Sequence, residues 1–476
     1  MNERPSLHGR AFPPMAPFPS FADAPWFAGQ GSALVLGARA WTYDALSDLI
    51  GERESVLRCS GVRAGQVVMA PDAPACDLIL MQHALARMGA ALFPVRAGTE
   101  PGIMDDLIAG AGVEWTWDPS VESLRATGCR KAACENRPTS LALLIKTSGS
   151  SGRPKIAMLT PSNVLASALE TNAALGLAPG DIWLACLRPS HIGGVSIAYR
   201  CALAGATLLL QEGFVAEAVA SGLNGMPVTH LSLVPPMLAR LLDLGCRPPS
   251  SLRVAMIGGQ ALSLSLAQRA LDAGWPLHIS YGMTETGSQI ATTPRLSGRI
   301  RETSLVGRPM RELEMDLGGC GERPRRLRIR GSVVMAGYAN PERRPGDGIE
   351  DGWFEAADLA CFTDEGQLRI LGRADDVLVV GGANVSRARI EAELSRMPGI
   401  GDVLIVDLPD PVWGHRLVAV YSGAVSALQV ETWCGAHLTG PERPRAFKRL
   451  SPFPLLDSGK LDRRGIADLV RSADPG

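Results

Sequence analysis

Short apolar runs and longer periodic stretches alternate along the first 300 residues. The apolar runs are typical of buried strands, whereas apolar residues that recur every three or four positions indicate one face of a helix. The runs predict strands over 67–69, 91–93, 141–145, 182–187, 207–210, 230–234 and 253–257. The periodic stretches predict a helix that starts after its cap Thr42, and helices over 77–88, 161–175, 194–203, 214–222, 236–243 and 263–273. This alternation predicts an α/β fold with mostly parallel sheets.

The pattern changes after about residue 300, where short strands and turn dipeptides dominate. Strands are predicted over 326–330, 367–371 and 377–380, followed by a helix over 387–395, strands over 403–406 and 417–421, and a last helix. The final hundred residues are sufficient for a separate small α+β domain. We therefore predict a large multi-layer α/β domain over 1–372 and a small C-terminal domain over 373–476.

Composition restricts the kind of protein. A chain of 476 residues, 46% hydrophobic, is too long for one core. Its formal net charge of −1 gives no general attraction to nucleic acid or to an anionic membrane. No apolar run reaches the roughly 18–20 residues of a membrane span, and the N-terminus has no signal-peptide core. The ten cysteines show no metal-binding spacing, so we predict reduced cysteines in a cytoplasmic protein.

A loop rich in glycine and hydroxyl side chains follows the predicted strand 141–145. Glycines let backbone N–H groups approach an anion, hydroxyls add donors, and a lysine adds a compact positive charge. A helix is predicted to start soon afterwards, with Thr160 as its cap and Pro161 in its first turn. The loop is therefore a candidate polyphosphate clamp, formed by Thr147, Ser148, Gly149, Ser150, Ser151, Gly152 and Lys155.

The alternative is that this loop is a flexible Ser/Gly linker. Two observations favour the clamp: the loop is short and directly follows a buried strand, and it contains a lysine. Among the 47 lysines and arginines only five are lysines, at 131, 146, 155, 448 and 460. The loop is not a Walker A motif, because Lys155 is neither preceded by Gly nor followed by Ser or Thr.

Two further groups of residues follow predicted strands, where parallel sheets usually bind ligands. The first group is Gly258, Gly259 and Gln260, and the second is Tyr281, Gly282, Thr284 and Glu285. A tyrosine ring could pack on a nucleotide base, a threonine could contact phosphate, and a carboxylate is a hard oxygen ligand for Mg²⁺. Each group alone could equally be an ordinary loop.

Three charged residues of the C-terminal half complete the candidate set. Asp358 could accept hydrogen bonds from a ribose diol, and Arg373 could contact ribose or phosphate. Lys460 lies in a predicted tight turn near the C-terminus, where a point charge could meet a carboxylate and a phosphate together. Isolated charged residues are mostly solvated, so these gain meaning only in combination.

In combination, these motifs resemble those of the adenylate-forming superfamily of acyl-CoA ligases, adenylation domains and luciferases. The resemblance implies a phosphate loop at 147–155, an adenine and Mg²⁺ motif at 281–285, a ribose contact at Asp358 and a nucleotide contact at Arg373. It also implies a mobile C-terminal domain with its hinge at Asp375, an adenylation lysine at Lys460 and a CoA channel beside Trp413. The implied reaction converts a carboxylic acid and Mg·ATP to an acyl-AMP, which a thiol then attacks.

Within that superfamily, 191–200, 232–235 and 280–289 resemble the o-succinylbenzoate–CoA ligase branch of menaquinone synthesis. The resemblance implies an acyl site that includes His191, Arg200 and Ser232, with Arg200 holding the unreacted aromatic carboxylate. An unpaired guanidinium in an apolar helix would be costly, so a substrate carboxylate is one natural partner. A structural ion pair for Arg200 and a core role for His191 remain the alternatives.

Other functions stay open at this point. The chain could load a carrier protein, activate another aryl or aliphatic acid, or be an inactive nucleotide-binding homologue with a regulatory role. We expect small-molecule partners (a carboxylic acid, ATP and CoA), no nucleic acid and no membrane span, and the sequence leaves a homo-oligomer open.

Overall fold

The structure is a computed structural model that describes residues 31–129, 140–147, 155–317, 325–339, 346, 348–410, 412–456 and 459–473. Five residues of the predicted phosphate loop lie outside the described residues, namely Ser148, Gly149, Ser150, Ser151 and Gly152.

The first part of the described chain contains nine strands and helices, of which five, at 32–36, 39–42, 101–111, 115–118 and 123–126, have no predicted counterpart. Its strands are β1 (Ser32–Leu36), β2 (Arg39–Thr42), β3 (Val67–Pro71), β4 (Ala91–Val95), β5 (Trp115–Asp118) and β6 (Ser123–Ala126). Its helices are α1 (Tyr43–Cys59), α2 (Ala75–Met88) and α3 (Pro101–Ala111). Helix α1 begins where predicted, because the Thr42 side chain accepts a hydrogen bond from the Ala45 N–H at 3.2 Å.

The central part continues this alternation. Its strands are β7 (Leu143–Thr147), β8 (Lys155–Leu159), β9 (Ile182–Ala185), β10 (Thr207–Leu210), β11 (His230–Leu233), β12 (Val254–Ile257), β13 (Leu277–Met283), β14 (Ser288–Thr292), β15 (Arg308–Pro309) and β16 (Leu313–Asp316). Its helices are α4 (Pro161–Leu175), α5 (Ile192–Ala204), α6 (Ala216–Gly225), α7 (Pro235–Asp243) and α8 (Leu264–Asp272).

The last part consists mainly of antiparallel strands and short helices. The strands are β17 (Arg325–Gly331), β18 (Ile349–Glu350), β19 (Trp353–Phe362), β20 (Leu368–Arg373), β21 (Val377–Val380), β22 (Ala383–Ser386), β23 (Ile400–Asp410), β24 (Gly414–Gly423) and β25 (Ala446–Arg449). The helices are α9 (Arg387–Leu394), α10 (Ala427–His437) and α11 (Arg463–Ser472).

Two large sheets organise the N-terminal part of the described chain. One has the strand order β15-β14-β13-β12-β11-β9-β10-β1-β2, and its six strands from β13 to β1 are parallel. The other has the order β6-β5-β3-β4-β7-β8, with parallel pairs at its centre and antiparallel pairs at both edges. The α/β class with mostly parallel sheets is therefore confirmed.

One local prediction is incomplete. We expected a helix to start soon after the loop that follows 141–145 and predicted no strand before it, but β8 lies between the loop and the helix and pairs antiparallel with β7. The loop thus connects a β-hairpin, with Thr147 and Lys155 opposite each other at its base. The apolar residues 156–159 form the missed strand. Helix α4 then starts at its predicted cap, where Thr160 and Asn163 form a reciprocal capping box.

The C-terminal part has a core of its own. Strands β23, β24 and β25 form a sheet with buried apolar residues on both faces. One face packs around Ile390 and Val430, and the other packs around Ile466 and Val470. All members of these two clusters follow residue 379, whereas the other two clusters use residues 33–368. The predicted boundary after 372 falls between these sets.

None of the helices in the described part of the chain combines the length and the apolar character that crossing a bilayer requires.

The capping box of α4 generates a prediction. Thr160→Ala removes the oxygen that accepts from the Asn163 N–H at 3.2 Å, and we expect it to lower the free energy of unfolding by about 1 kcal/mol. Thr160→Ser, which keeps the oxygen, should lose much less. Urea unfolding followed by circular dichroism measures both variants, and equal losses would show that the methyl group matters more than the cap.

Candidate active site

The candidate residues gather at one edge of the larger sheet. Strands β11, β12 and β13 are parallel neighbours, so their carboxyl ends meet at the same edge. Ser232 lies near the end of β11, 258–260 follow β12, and 281–283 form the end of β13. Thr284 and Glu285 continue directly into a 3₁₀ turn. The sheet thereby brings together groups that lie up to 50 residues apart in sequence.

Two glycines at this edge are required by close backbone packing. A Cβ atom on Gly258 would lie 2.4 Å from the Ser280 hydroxyl oxygen. A Cβ atom on Gly282 would lie 2.0 Å from the Ser288 carbonyl oxygen, because β14 turns back against the end of β13. The small residues therefore allow tight packing of the strand ends behind the site.

Tyr281 and Asp358 form one wall of the site. The tyrosine hydroxyl donates a hydrogen bond to Asp358 Oδ2 at 2.6 Å. Burial raises the pKa of Asp358, although this hydrogen bond and the Arg373 charge oppose the shift. Burial and the nearby carboxylate raise the pKa of Tyr281 well above its usual value, so the phenol remains the donor. One further oxygen of Asp358 is left for a ligand diol.

Arg373 connects this wall to the predicted hinge. It stands opposite Asp358 on the paired strands β19 and β20. Its guanidinium donates two hydrogen bonds to the carboxylate of Asp375, at 2.8 and 2.9 Å. These hydrogen bonds raise the pKa of Arg373 and lower that of Asp375. Both side chains are partly exposed, so the pair is a weak constraint that a movement of the chain could break.

Lys460 reaches the site from the C-terminal part. Its Cε atom lies 3.0 Å from the position of a Cβ on Gly259. The Leu461 N–H donates a hydrogen bond to Gln260 Oε1 at 3.1 Å, which links the two parts of the chain next to the lysine. Burial lowers the pKa of Lys460, while the negative charge of Glu285 opposes this shift. The ammonium group therefore lies in a crowded site within the field of Glu285.

Thr147 and Lys155 lie opposite each other at the base of the hairpin that carries the predicted phosphate loop. Lys155 Nζ lies 4.7 Å from the centre of the Tyr338 ring. The Tyr338 hydroxyl in turn donates to Glu285 Oε1 at 2.8 Å. The base of the loop and the predicted Mg²⁺ ligand are thus joined through one tyrosine.

The donor set around Glu285 fits a magnesium ion that is bound together with a polyphosphate. In the described part of the chain, no group of three or more His, Cys, Asp or Glu side chains could hold a metal. Mg²⁺ typically keeps several waters and uses one or two carboxylates plus substrate phosphates, so a single glutamate is sufficient. Glu285 has one oxygen occupied by Tyr338 and a second oxygen available.

Arg200 is the most unusual charged group of the protein. Its side chain is fully buried in α5, and its Nη2 donates to Ser288 Oγ at 2.9 Å. The guanidinium carbon lies 5.4 Å from the centre of the Trp183 ring. Its Nε and Nη1 atoms have no hydrogen-bond partner, and no carboxylate of the described residues lies within ion-pair distance. Burial lowers its pKa to about 10, so the group is still charged at neutral pH.

Within the described residues, Arg200 therefore forms no structural ion pair. A buried cation whose Nε and Nη1 atoms lack acceptors within the described chain is costly unless a ligand supplies them.

His191 and Ser232 occupy different environments. His191 precedes the first residue of α5 and remains accessible to solvent. Crowding by protein atoms, together with the charges of Lys460, Lys146 and Arg188, lowers its pKa to about 4, so the imidazole is neutral at pH 7. Ser232 is buried, and its hydroxyl has no partner within the described chain. The structure therefore does not support the alternative that His191 is a hydrogen-bonded residue of the core.

Trp413 lies away from these residues, on the C-terminal part. Its side chain is about half exposed, at 49%, and Arg445 lies over its ring at 6.0 Å. A Cβ atom on Gly381 would lie 2.4 Å from the indole, so this glycine is needed for the ring to lie where it does. In this arrangement of the chain the tryptophan does not contribute to the cluster around Lys460.

Sequence reasoning missed two residues of the site, Tyr338 and Trp183. Tyr338 is one of only five tyrosines in the chain and follows a glycine, which is a weak signal. Trp183 lies in a strand that was predicted only as core. Tyr338 contacts Glu285 and Lys155, and Trp183 contacts Arg200. These contacts join residues far apart in sequence.

Comparisons with known proteins agree on one family. The profile of the AMP-binding enzyme family matches residues 27–339. A 2-succinylbenzoate–CoA ligase from Bacillus licheniformis is 34% identical over 333 residues, which is 68% of this chain and 69% of that protein.

Solved structures extend the similarity over nearly the whole chain. The o-succinylbenzoate CoA synthetase of Bacillus subtilis, in complex with its acyl-adenylate intermediate, is 25% identical with a TM-score of 0.81, and the match covers 94% of this chain and 98% of that one. The same enzyme in complex with ATP and a magnesium ion also has a TM-score of 0.81, at 25% identity, and the match covers 94% of this chain and 99% of that one. ATP-bound MatB from Rhodopseudomonas palustris has a TM-score of 0.84 at 20% identity, covering 95% of this chain and 99% of that one, which supports the fold alone.

The buried guanidinium generates a prediction about stability. We expect Arg200→Met to raise the free energy of unfolding of the ligand-free protein by about 1 kcal/mol or more, because an apolar side chain of similar length removes an uncompensated buried charge. The control is Arg253→Met, which breaks the ion pair of Arg253 with the buried Asp181 at 2.8 Å and should destabilise. Thermal and urea unfolding measure both variants. A marked destabilisation by Arg200→Met would assign the arginine a structural role.

Proposed function

The chain belongs to the AMP-binding enzyme family, and on that premise we propose that it is an ATP-dependent acid–thiol ligase for an aromatic dicarboxylic acid of the o-succinylbenzoate type. The substrate carboxylate is first joined to AMP, and the acyl group is then transferred to CoA. ATP, the acid and CoA are the small-molecule partners, and Mg²⁺ is the metal cofactor. The use of ATP and CoA supports the predicted cytoplasmic location.

The observation that carries the choice of substrate is the buried guanidinium of Arg200. A monocarboxylic acid offers one carboxylate, which must react and therefore has to lie beside the nucleotide. A second carboxylate that does not react would supply the acceptors that Arg200 Nε and Nη1 lack. Hydrogen bonds from an arginine to a carboxylate are charge-assisted and are therefore among the stronger ones. The 2-succinylbenzoate–CoA ligase of Bacillus licheniformis, 34% identical to this chain, acts on an acid of this kind.

The assignment of the nucleotide-binding residues rests on the edge of the sheet at which β12 and β13 end. The ribose is assigned to Asp358 and Arg373, and the base to Tyr281 and the turn 258–260. The phosphates are assigned to Thr284 and to the hairpin loop with Thr147 and Lys155. Glu285 holds Mg²⁺, which neutralises phosphate charge when it is bound. These assignments are supported by the close packing of the named residues around one edge.

The first step forms the acyl-AMP. An oxygen of the reacting carboxylate attacks the α-phosphorus of ATP, the bond to the β-phosphate breaks, and pyrophosphate leaves. Lys460 lies beside Gly259 and within the field of Glu285, so its ammonium can stabilise charge on both the carboxylate and the phosphate oxygens. No covalent enzyme intermediate is required, because catalysis comes from positioning and charge stabilisation. His191, neutral at pH 7, lies within the field of Lys460 and lines the acyl side.

The second step requires that Lys460 withdraws. The CoA thiolate attacks the acyl carbonyl carbon, the bond to the phosphate oxygen breaks, and AMP leaves. We propose that the C-terminal part rotates about Asp375, whose two hydrogen bonds to Arg373 are exposed enough to be exchanged. Rotation would bring the half-exposed Trp413 toward the site as a wall of the CoA channel. Domain rotations of this kind gate many reactions.

The role of Lys460 can be tested by separating the two steps. Lys460→Ala should reduce acid-dependent ATP–pyrophosphate exchange by about 100-fold or more, because the stabilising charge is lost. Thioester formation from supplied acyl-AMP and CoA should remain close to that of the parent protein. Lys448→Ala, which alters a lysine elsewhere on the C-terminal part, should change neither step. Equal loss of both steps in Lys460→Ala would contradict the assignment.

The substrate proposal is tested with a matched pair of acids. For o-succinylbenzoate, Arg200→Met should raise KM by about 30-fold, which corresponds to about 2 kcal/mol for hydrogen bonds to a charged group. For 4-oxo-4-phenylbutanoate, which lacks only the ring carboxylate, the parent protein should already be poor and the variant should cause little further loss. Pyrophosphate release measures both acids. An equal effect on the two acids would show that Arg200 does not bind the second carboxylate. Formation of acyl-AMP without any CoA thioester would instead favour a carrier protein as the acceptor.

A further inference from the structure

Tyr338 has a position that none of the assigned roles explains. It lies in a segment after β17 whose backbone forms hydrogen bonds with two different parts of the chain. The Met335 N–H donates to the Glu285 carbonyl oxygen at 2.8 Å. Residues 336–339 run beside β8, with hydrogen bonds between Ala336 and Met158 at 2.8 Å and between Ala339 and Ile156 at 2.7 Å.

These backbone hydrogen bonds determine where the tyrosine ring lies. Tyr338 forms an antiparallel bridge with Ala157, two residues beyond Lys155 on the same strand. Gly348 packs against the ring, because a Cβ atom on it would lie only 2.7 Å from a ring atom. Gly348 also has a positive φ of 86°, which an L side chain rarely adopts. The ring is therefore held between the hairpin and Glu285.

The two ends of this side chain make different contacts. The hydroxyl donates to Glu285 Oε1 at 2.8 Å, while the face of the ring lies 4.7 Å from Lys155 Nζ. Within the described residues, Lys155 has no carboxylate at ion-pair distance, and the aromatic ring is its identified partner.

We propose that Tyr338 is a positioning residue that orients the magnesium ligand Glu285 and the phosphate-binding Lys155 at the same time. With one oxygen held by the phenol, Glu285 presents its other oxygen in a defined direction. With its ammonium over the ring, Lys155 is kept at the base of the loop without being neutralised by a carboxylate. This inference rests on the proposed assignment of Glu285 and Lys155 to the Mg·ATP site, but not on the identity of the acid.

The two contacts can be separated by substitution. Tyr338→Phe removes the hydroxyl and keeps the ring, so only the orientation of Glu285 is lost. Tyr338→Leu removes both contacts. The readout is the Kd of the α,β-methylene analogue of ATP, whose α–β linkage the proposed reaction cannot break, measured by calorimetry on the full-length protein with excess Mg²⁺ and again with EDTA. The ratio of the two Kd values reports the contribution of magnesium.

For Tyr338→Phe we expect the tightening by Mg²⁺ to fall about tenfold, as for the loss of one hydrogen bond to a charged group, while the Kd in EDTA stays unchanged. For Tyr338→Leu we expect the same loss and, in addition, a weaker Kd in EDTA that matches that of Lys155→Met. Combining Tyr338→Leu with Lys155→Met should then give little further weakening in EDTA. In the background of Glu285→Gln, Tyr338→Phe should have no effect on the magnesium ratio.

Tyr43→Phe is the matched control, because it removes a buried tyrosine hydrogen bond, to the Ala206 carbonyl at 2.7 Å, away from this site. It should lower stability without changing the magnesium ratio. An unchanged magnesium ratio in Tyr338→Phe, or an equal weakening with and without Mg²⁺, would overturn the proposal. Because nucleotide binding is measured without any acid, failure of the substrate assignment would leave this result intact and would show instead in the acid panel.

Discussion

The turn that carries Lys460 packs closely against the large sheet because glycines stand at two of the contact points. A Cβ atom on Gly459 would lie 2.8 Å from Met237 Cε, and a Cβ atom on Gly259 would lie 3.0 Å from Lys460 Cε. The hydrogen bond from Leu461 to Gln260 holds the turn in this place. The site depends on this fit, because the lysine is the group that the C-terminal part contributes to it.

The buried arginine gives the site its second defining constraint. A guanidinium that is fully buried, and whose Nε and Nη1 atoms lack acceptors within the described residues, lowers the stability of the protein unless a ligand completes its hydrogen bonds. Trp183 lies against one face of the guanidinium, and the Trp183 ring also stacks on His230 at 5.3 Å. The arrangement therefore holds Arg200 in a fixed direction while leaving its Nε and Nη1 donors without acceptors in the described chain.

Lys460 and Glu285 influence each other across the site, and Tyr338 links Glu285 to Lys155. Positive and negative groups therefore alternate from the C-terminal lysine to the base of the hairpin loop. Such an arrangement is suited to a magnesium-bound polyphosphate, in which charges of both signs have to be matched over a short distance. The acyl side of the site, with a neutral histidine and a buried arginine, is different in character. This division separates the chemistry common to the family from the selection of one acid.

The sequence by itself determined the features that depend on neighbours along the chain. The helix caps at Thr42 and Thr160, many of the strands and helices, and the grouping of glycines and hydroxyls after strands could be predicted, because capping, periodicity and turn chemistry are local. Only the tertiary structure decided that Arg200 has no carboxylate partner within the described chain and that Tyr338 joins Lys155 to Glu285. It also decided that Gln260 meets Leu461, 201 residues away. These contacts depend on how separate sheets and turns pack together, and no local pattern carries that information.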